Sequence, residues 1–268
     1  AVDDPGVIAA TLQAEAMKVG LNTHVAGSGC SCSVLAGATS YFGSGPGNLY
    51  AGWFYDNLLA MEWVMPNGEI LRSGSLGSGC GWFCGEGPGL SLRGVARGFL
   101  GAKGAMGVFT KCAVKLFAWP GPQTLPVEGT IPAYRTKLPD NFKAYTLAFP
   151  SWKAWADAAY AIWDAGIGYL AHRQFNMFGR ELKFAMVKML TDPTRTLGDL
   201  EALLADPEVQ AVTQQSKRDF QIVLAGMTRR DMAWQEHALD EILTQTGGWK
   251  VEAMNAPEPF GELPNAAL

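Results

Sequence analysis

The chain has 268 residues, of which 48% are hydrophobic and 17% charged, and its net charge is −4. That apolar fraction excludes a disordered chain, and the acidic balance removes any electrostatic reason to expect nucleic acid or an anionic membrane as partner. No apolar run reaches the ~18 residues that a membrane-spanning helix needs, and the length suits one large domain or two of ordinary size.

From the N-terminus, residues 7–19 predict an amphipathic helix, and Asp3 and Asp4 stand where a secretory leader would be basic. A glycine- and serine-rich passage covers 27–52. Two strands, 58–65 and 69–72, are joined by Pro66-Asn67-Gly68, and Asn-Gly between alternating apolar runs predicts a hairpin. A second glycine-rich passage, 74–89, leads to a short helix at 91–99.

The next stretch is the most informative. Gly101, Gly104 and Gly107 are spaced by threes, which lets the backbone turn tightly and approach a ligand that a Cβ would keep away. A period-two apolar strand, 108–117, follows at once. A Walker or Rossmann loop needs its glycines after a strand and before a helix, so this order excludes both. Glycines opening into a strand point to a flat cofactor lying on bare backbone, and a purely structural turn accounts for the same run. Pro120, Pro122 and Pro126 then mark a boundary between a domain at 1–122 and a second at 123–268.

The second half repeats itself. A strand at 143–149, a helix at 152–164 with Ser151 as N-cap and a strand at 168–178 form one unit. A strand at 220–227, a helix at 229–245 between Thr228 and Gly247-Gly248, and a strand at 249–254 form another. With helical insertions at 180–190 and 197–214, two β-α-β units predict a ferredoxin-like α+β domain. Trp152, Trp155, Tyr160 and Trp163 have helical spacing and are expected in the core.

Five cysteines, Cys30, Cys32, Cys80, Cys84 and Cys112, are an odd number that fits a reducing, cytoplasmic compartment better than a disulfide framework. Their spacings lack the paired C-x-x-C clusters of a metal site, and His24, His172 and His237 are scattered, so no metal is expected.

The first half resembles the FAD-linked oxidases of the vanillyl-alcohol-oxidase and p-cresol-methylhydroxylase superfamily, nearest to the large subunit of glycolate oxidase and related D-2-hydroxyacid dehydrogenases. That branch carries Gly-Ser-Glu-Gly-x-x-Gly-Ile/Val-x-Thr-Glu, and 101–111 matches its glycines, Val108 and Thr110, with Lys103 and Lys111 at its two acidic positions. The family's Gly-Gly turn, Tyr-Gly pair, Asp/His-Asn-Leu-Leu and Asp-Gly hairpin correspond to Ala36-Gly37, Ala51-Gly52, Asp56-Asn57-Leu58-Leu59 and Asn67-Gly68, with matching intervals.

The resemblance implies the second subdomain of a PCMH-type FAD-binding domain followed by a ferredoxin-like substrate cap. It places FAD against Ser33, Ala36, Gly37, Gly101, Gly107 and Val108, the first turn at the diphosphate and flavin and the strand start at the adenine side. The family's N-terminal FAD subdomain and its C-terminal Gly-Asp-Gly-Asn-x-His segment are missing, so the chain is expected to be a fragment or to rely on a partner chain that supplies the other wall. In the berberine-bridge branch a cysteine just before the Gly-Gly turn bonds to the flavin. Cys30 stands at a similar distance, and the reading to prefer for it is a small buried thiol beside a tight turn.

In the cap, alternation puts His172, Gln174 and Asn176 on one strand face and Tyr169, Ala171, Arg173 and Phe175 on the other. The polar face is expected either to line the pocket above the flavin, with His172 orienting or deprotonating substrate, or to be a solvated edge. Arg135, Arg173 and Arg180 are candidates for a substrate carboxylate. The function expected is an FAD-dependent oxidoreductase that moves a hydride from a hydroxylated substrate, such as a small hydroxy acid, to the flavin and passes electrons to a partner. The alternatives are a non-catalytic subunit of a flavoprotein complex and a flavin-dependent transferase of the alkylglycerone-phosphate synthase kind.

Overall fold

The computed structural model describes residues 1–23, 31–39, 45, 47–52, 54–73, 107–128, 135–136, 138–172, 194, 196–207, 210 and 218–251. The helices expected at 91–99 and 180–190 lie outside these residues, as do Cys30, Gly101, Arg173, Gln174, Asn176 and Arg180. The chain forms two compact units, the first containing Ala1–Thr124 and the second opening at Leu125.

The first unit runs β1 (Val2–Asp3), α1 (Ala9–Met17), β2 (Leu21–Asn22), α2 (Val34–Thr39), α3 (Asn48–Ala51), a 3₁₀ turn (Phe54–Asn57), β3 (Leu58–Val64), β4 (Ile70–Arg72), β5 (Val108–Val114) and β6 (Phe117–Ala118). Its main sheet has the order β1-β5-β3-β4 and every pairing is antiparallel. One face of the β3–β5 pair carries Leu58, Met61, Trp63, Phe109, Cys112 and Val114, all buried. On it α1 lays Ala9 and Leu12, and α2 lays Val34, Leu35 and Ala38. Trp63 stacks on Phe109 with ring centroids 5.0 Å apart.

The hairpin from β3 to β4 closes as its sequence requires. Gly68 N–H donates to Met65 C=O at 2.8 Å, and Gly68 has φ +84°, a conformation open to glycine. The strand expected at 108–117 divides in two. Lys115 N–H turns aside to donate to Asn57 C=O, and Phe117–Ala118 pair with Leu21–Asn22 in a separate ribbon, where β2 would otherwise lack a partner.

The second unit runs β7 (Val127–Glu128), β8 (Arg135–Thr136), β9 (Phe142–Ala148), α4 (Trp152–Ala165), β10 (Leu170–His172), α5 (Leu197–Ala205), β11 (Asp219–Ala225), α6 (Arg229–Thr246) and β12 (Trp249–Lys250). β7 and β8 pair with each other, and the main sheet has the order β10-β11-β9-β12, antiparallel throughout. Two β-α-β units interleaved in this order are the ferredoxin-like arrangement. The fold is α+β, as the alternation of elements predicts.

Local chemistry sets the helix ends. Ser151 Oγ accepts from Ala154 N–H to start α4, and Gly166 ends it at φ +62°. Thr228 Oγ1 accepts from Asp231 N–H to start α6, while Asp231 Oδ2 accepts from the N–H of Met227, the residue before the cap. Both helices cover one sheet face. Trp155 of α4 meets Phe220 edge-on, and Glu236 of α6 accepts from Lys143 Nζ at 2.6 Å and from Tyr145 Oη at 2.6 Å. Leu147, Ile222, Leu224 and Leu239 are fully buried, each contributing roughly 1.5–3 kcal/mol relative to exposure.

In this unit the strand bearing His172 takes an edge position among the described strands, in line with one of its two readings, because β11 rather than β10 sits beside β9. One expectation is corrected. Of the four aromatics of α4, only Trp155 is turned toward the sheet, while Trp152, Tyr160 and Trp163 are exposed. Helical spacing gave them a common side, but Ala158 and Ile162 occupy the side that is buried.

Burial works to raise the Glu236 carboxyl, but the hydrogen bonds from Lys143 and Tyr145 and the charges of Lys143 and Lys250 outweigh it and hold it below the usual glutamate range. A carboxylate lowered on folding stabilises fully above its unfolded pKa and loses that contribution as pH falls through the folded value. Glu236→Gln is therefore expected to cost about 1–2 kcal/mol at neutral pH, from lost charge-assisted hydrogen bonds. Urea unfolding checks this: the gap to wild type narrows in acid, and a gap equal at both pH values contradicts the ionic origin.

Candidate functional site

The short helix α2 is held at its start by Ser33. Its Oγ accepts from Ala36 N–H at 3.3 Å and donates to Pro5 C=O at 3.4 Å, while Ser33 C=O accepts from Gly37 N–H at 3.0 Å. The chain before it is pinned to the start of α1, with Ala9 N–H donating to Cys32 C=O and Val34 N–H to Val7 C=O. Val34, Leu35 and Ala38 seat the helix on the sheet, which leaves Ala36 exposed and Gly37 half-buried. At 36–37 the outward side of α2 therefore carries only a methyl group and a glycine.

Gly107 and Val108 open β5. Gly107 has φ +123°, and a Cβ there would lie 2.2 Å from Val64 O and 2.5 Å from Trp63 Nε1. Protein already fills the space beside this glycine, so the β3–β5 pairing demands it whatever else it touches. The pleat turns Phe109 into the core and Val108 to the opposite face, where Val108 is 65% exposed in a row with Val64 and Ile70. The structure brings Ser33, Ala36 and Gly37 together on α2 and places Val108 on a separate surface.

Beyond the Val108 row the same outer face carries a charged cluster that the sequence reading missed. Glu62 Oε2 accepts from Arg72 Nε at 2.9 Å, and Glu62 Oε1 accepts from Thr110 Oγ1 at 2.9 Å. The hydrogen bond from Arg72, then that from Thr110, holds the Glu62 carboxyl below its usual range. The available signal was one acid inside the apolar strand Leu-Leu-Ala-Met-Glu-Trp-Val, opposite the one arginine of β4.

In the second unit the register sets His172 opposite Gln221 and Gln221 opposite Thr146. Directly opposed residues share a face, and this row lies on the face away from α4 and α6. Gln221 Nε2 lies 3.5 Å from Thr146 Oγ1, and Thr146 and Asp219 are buried. Arg135 lies in β8, outside this sheet. Among the described residues no group of three His, Cys, Asp or Glu side chains is placed to hold a metal ion, and no helix is long and apolar enough to cross a membrane.

Residues 1–74 match the FAD binding domain family. The cofactor indicated is FAD. No curated protein matches the sequence. Among solved structures the chain is similar to p-cresol methylhydroxylase with substrate bound, at 16% identity and TM-score 0.53 over 97% of this chain and 46% of that one. It is similar to an alkyldihydroxyacetonephosphate synthase at 14% identity and TM-score 0.53 over 93% of this chain and 39% of that one. It is similar also to the 4-ethylphenol oxidase of Gulosibacter chungangensis in an isoeugenol complex, at 15% identity and TM-score 0.52 over 93% and 43%. At these identities the likeness is one of fold, shared with flavoproteins of the vanillyl-alcohol-oxidase and p-cresol-methylhydroxylase type, and the chain spans less than half of each of these proteins.

Two features of the first unit fit a ligand rich in acceptor oxygens such as FAD. Among the described residues, the outward side of α2 carries no bulky side chain at Ala36-Gly37, and the buried indole N–H of Trp63, beside Gly107, meets no hydrogen-bond acceptor. Gly107→Ala is expected to destabilise the protein by roughly 1–3 kcal/mol even without flavin, since it meets both backbone strain and a filled space. Thermal unfolding of flavin-stripped protein measures this, and unchanged stability would show that the close approach to Val64 is relieved at little cost.

Proposed function

We propose that the protein is a flavoprotein oxidoreductase whose first unit is part of a PCMH-type FAD-binding domain and whose second is the substrate cap. The observation that carries this reading is the FAD binding domain match over 1–74, on the segment that forms α2 and the β3–β4 hairpin. Ser33, Ala36, Gly37, Gly101, Gly107 and Val108 are the residues proposed to meet the cofactor, with bare backbone at Ala36-Gly37 admitting the diphosphate side. When bound, FAD supplies an acceptor for the two electrons and hydrogen of a carbinol C–H bond. His172, in the polar row with Gln221 and Thr146, is proposed to orient the substrate hydroxyl or take its proton, and a hydroxy acid is the substrate class in view. A partner chain completing the flavin site, an electron acceptor and a cytoplasmic setting belong to the same proposal.

The likeness to alkyldihydroxyacetonephosphate synthase favours a second reading, a flavin-dependent transferase with no net oxidation. Visible absorption of the purified full-length protein, followed by anaerobic addition of D-2-hydroxy acids, separates the readings. Bleaching by substrate and recovery on adding an electron acceptor support the oxidoreductase. Product formation without acceptor consumption supports the transferase, and a colourless protein that does not take up FAD contradicts both. His172→Ala is expected to lower turnover by about 10²-fold or more if the residue moves a proton. Turnover and substrate affinity both at wild-type values would remove it from the mechanism.

A further inference from the structure

The indole N–H of Trp63 is a buried donor for which the described residues of the first unit offer no acceptor. Three of the described tryptophans are turned into the protein, and two of them satisfy their N–H on a backbone carbonyl. Trp119 Nε1 donates to Pro122 C=O at 2.7 Å, and Trp155 Nε1 donates to Asp219 C=O at 3.0 Å. Trp63 is only 4% exposed, and its Nε1 is buried without a hydrogen-bond partner. Buried polar groups are nearly always paired, and a donor left unpaired is destabilising, so the exception calls for a physical reason.

The ring itself is well held. Trp63 stacks on Phe109, with centroids 5.0 Å and planes 26° apart, and stands opposite Leu71 on the other side of β3. Its nitrogen edge faces Gly107, because a Cβ built on that glycine would lie 2.5 Å from Nε1. Gly107 is half-buried and Val108 after it is exposed. The N–H therefore sits at the rim of the core, where β5 opens, and the missing Cβ is what lets the indole come so close. All of β3 lies within residues 1–74, the segment that matches the FAD binding domain family.

The surroundings select the acceptor. Trp63 belongs to a cluster with Met61, Phe109 and Cys112, against which Leu71 packs. An ionised phosphate brought against that apolar cluster would lose its hydration at high cost, whereas a neutral ring nitrogen or ring carbonyl accepts from an indole N–H without burying charge. We infer that Trp63, beside Gly107, donates its indole N–H to a neutral ring acceptor of bound FAD. This rests on the reading of the first unit as an FAD site and adds to it a side chain outside the residues already proposed to meet the cofactor.

Titration of flavin-stripped, full-length protein with FAD, followed by flavin fluorescence, tests it. Wild type takes up FAD stoichiometrically. Trp63→Phe weakens binding by about three- to tenfold, as expected for one neutral hydrogen bond. Benzothienylalanine at the same position keeps the bicyclic shape and puts sulfur in place of the N–H. It weakens FAD equally, while the melting temperature of the flavin-free protein holds, since that state loses no hydrogen bond. With isotope-labelled indole nitrogens, the N–H signal missing from Trp63→Phe shifts when FAD is added to wild type. Weaker affinity with an unchanged visible spectrum puts the acceptor on the adenine, and weaker affinity with a shifted spectrum puts it on the isoalloxazine. Unchanged affinity in the benzothienylalanine protein, or an indole signal that FAD does not move, overturns the inference, leaves the flavin reading standing and assigns the N–H to a buried water. A wild type that takes up no FAD removes the flavin reading and this inference with it.

Discussion

Strand β3 pairs with β5 across two register shifts, between Leu58 and Ala60 and between Glu62 and Trp63, and that bulged pairing decides where the other elements of the first unit go. Bulges sharpen local twist and re-aim side chains. Here they keep Met61, Trp63, Phe109 and Cys112 on the face that receives α1 and α2, while Glu62 and Thr110 meet on the other. The pairing is possible at its open end because Gly107 has no Cβ. Any side chain would collide with the Val64 carbonyl and the Trp63 ring. The face that this pairing turns inward receives Val34, Leu35 and Ala38 of α2, which leaves Ala36-Gly37 on the helix's outward side.

The second unit rests on a different constraint, the coverage of one sheet face by two capped helices. Ser151 and Thr228 start α4 and α6 just beyond the ends of β9 and β11, so both helices return over the same face. Phe220 packs there against Phe149 and Trp155, and Lys143 and Tyr145 lock onto Glu236. The opposite face is left with the row that runs from His172 through Gln221 to Thr146. The sheet thus has one face packed under α4 and α6 and an opposite face on which Thr146 and Asp219 are buried.

Much of this was legible before any coordinates. Asn67-Gly68 specified its hairpin because the turn needs a residue free to take positive φ. Ser151, Thr228 and Gly247 marked helix ends because each satisfies backbone groups a helix leaves open. The double β-α-β pattern pointed to the ferredoxin-like arrangement, while the strand order β10-β11-β9-β12 came from the structure. What escaped the sequence was the direction of side chains about each axis. Helical spacing grouped Trp152, Tyr160 and Trp163 on one side, but the core place expected for them belongs to Ala158 and Ile162. Alternation grouped Lys115 and Phe117 with β5, although the demand of β2 for a partner drew the chain away. For the site, Ala36-Gly37 was visible as a run of small residues, whereas the meeting of Glu62 with Thr110 depends on a bulge that no local pattern announces.

The central claim is that the first unit meets FAD through the outward side of α2. Hydrogen–deuterium exchange of the full-length protein, stripped of flavin and then reloaded with FAD, tests it at the residues concerned. Reloading should slow exchange across 33–39 and leave the buried amides of α6, around Leu239 and Leu243, as they were. Stoichiometric FAD uptake with no change across 33–39 would place the cofactor elsewhere and contradict the assignment of this surface.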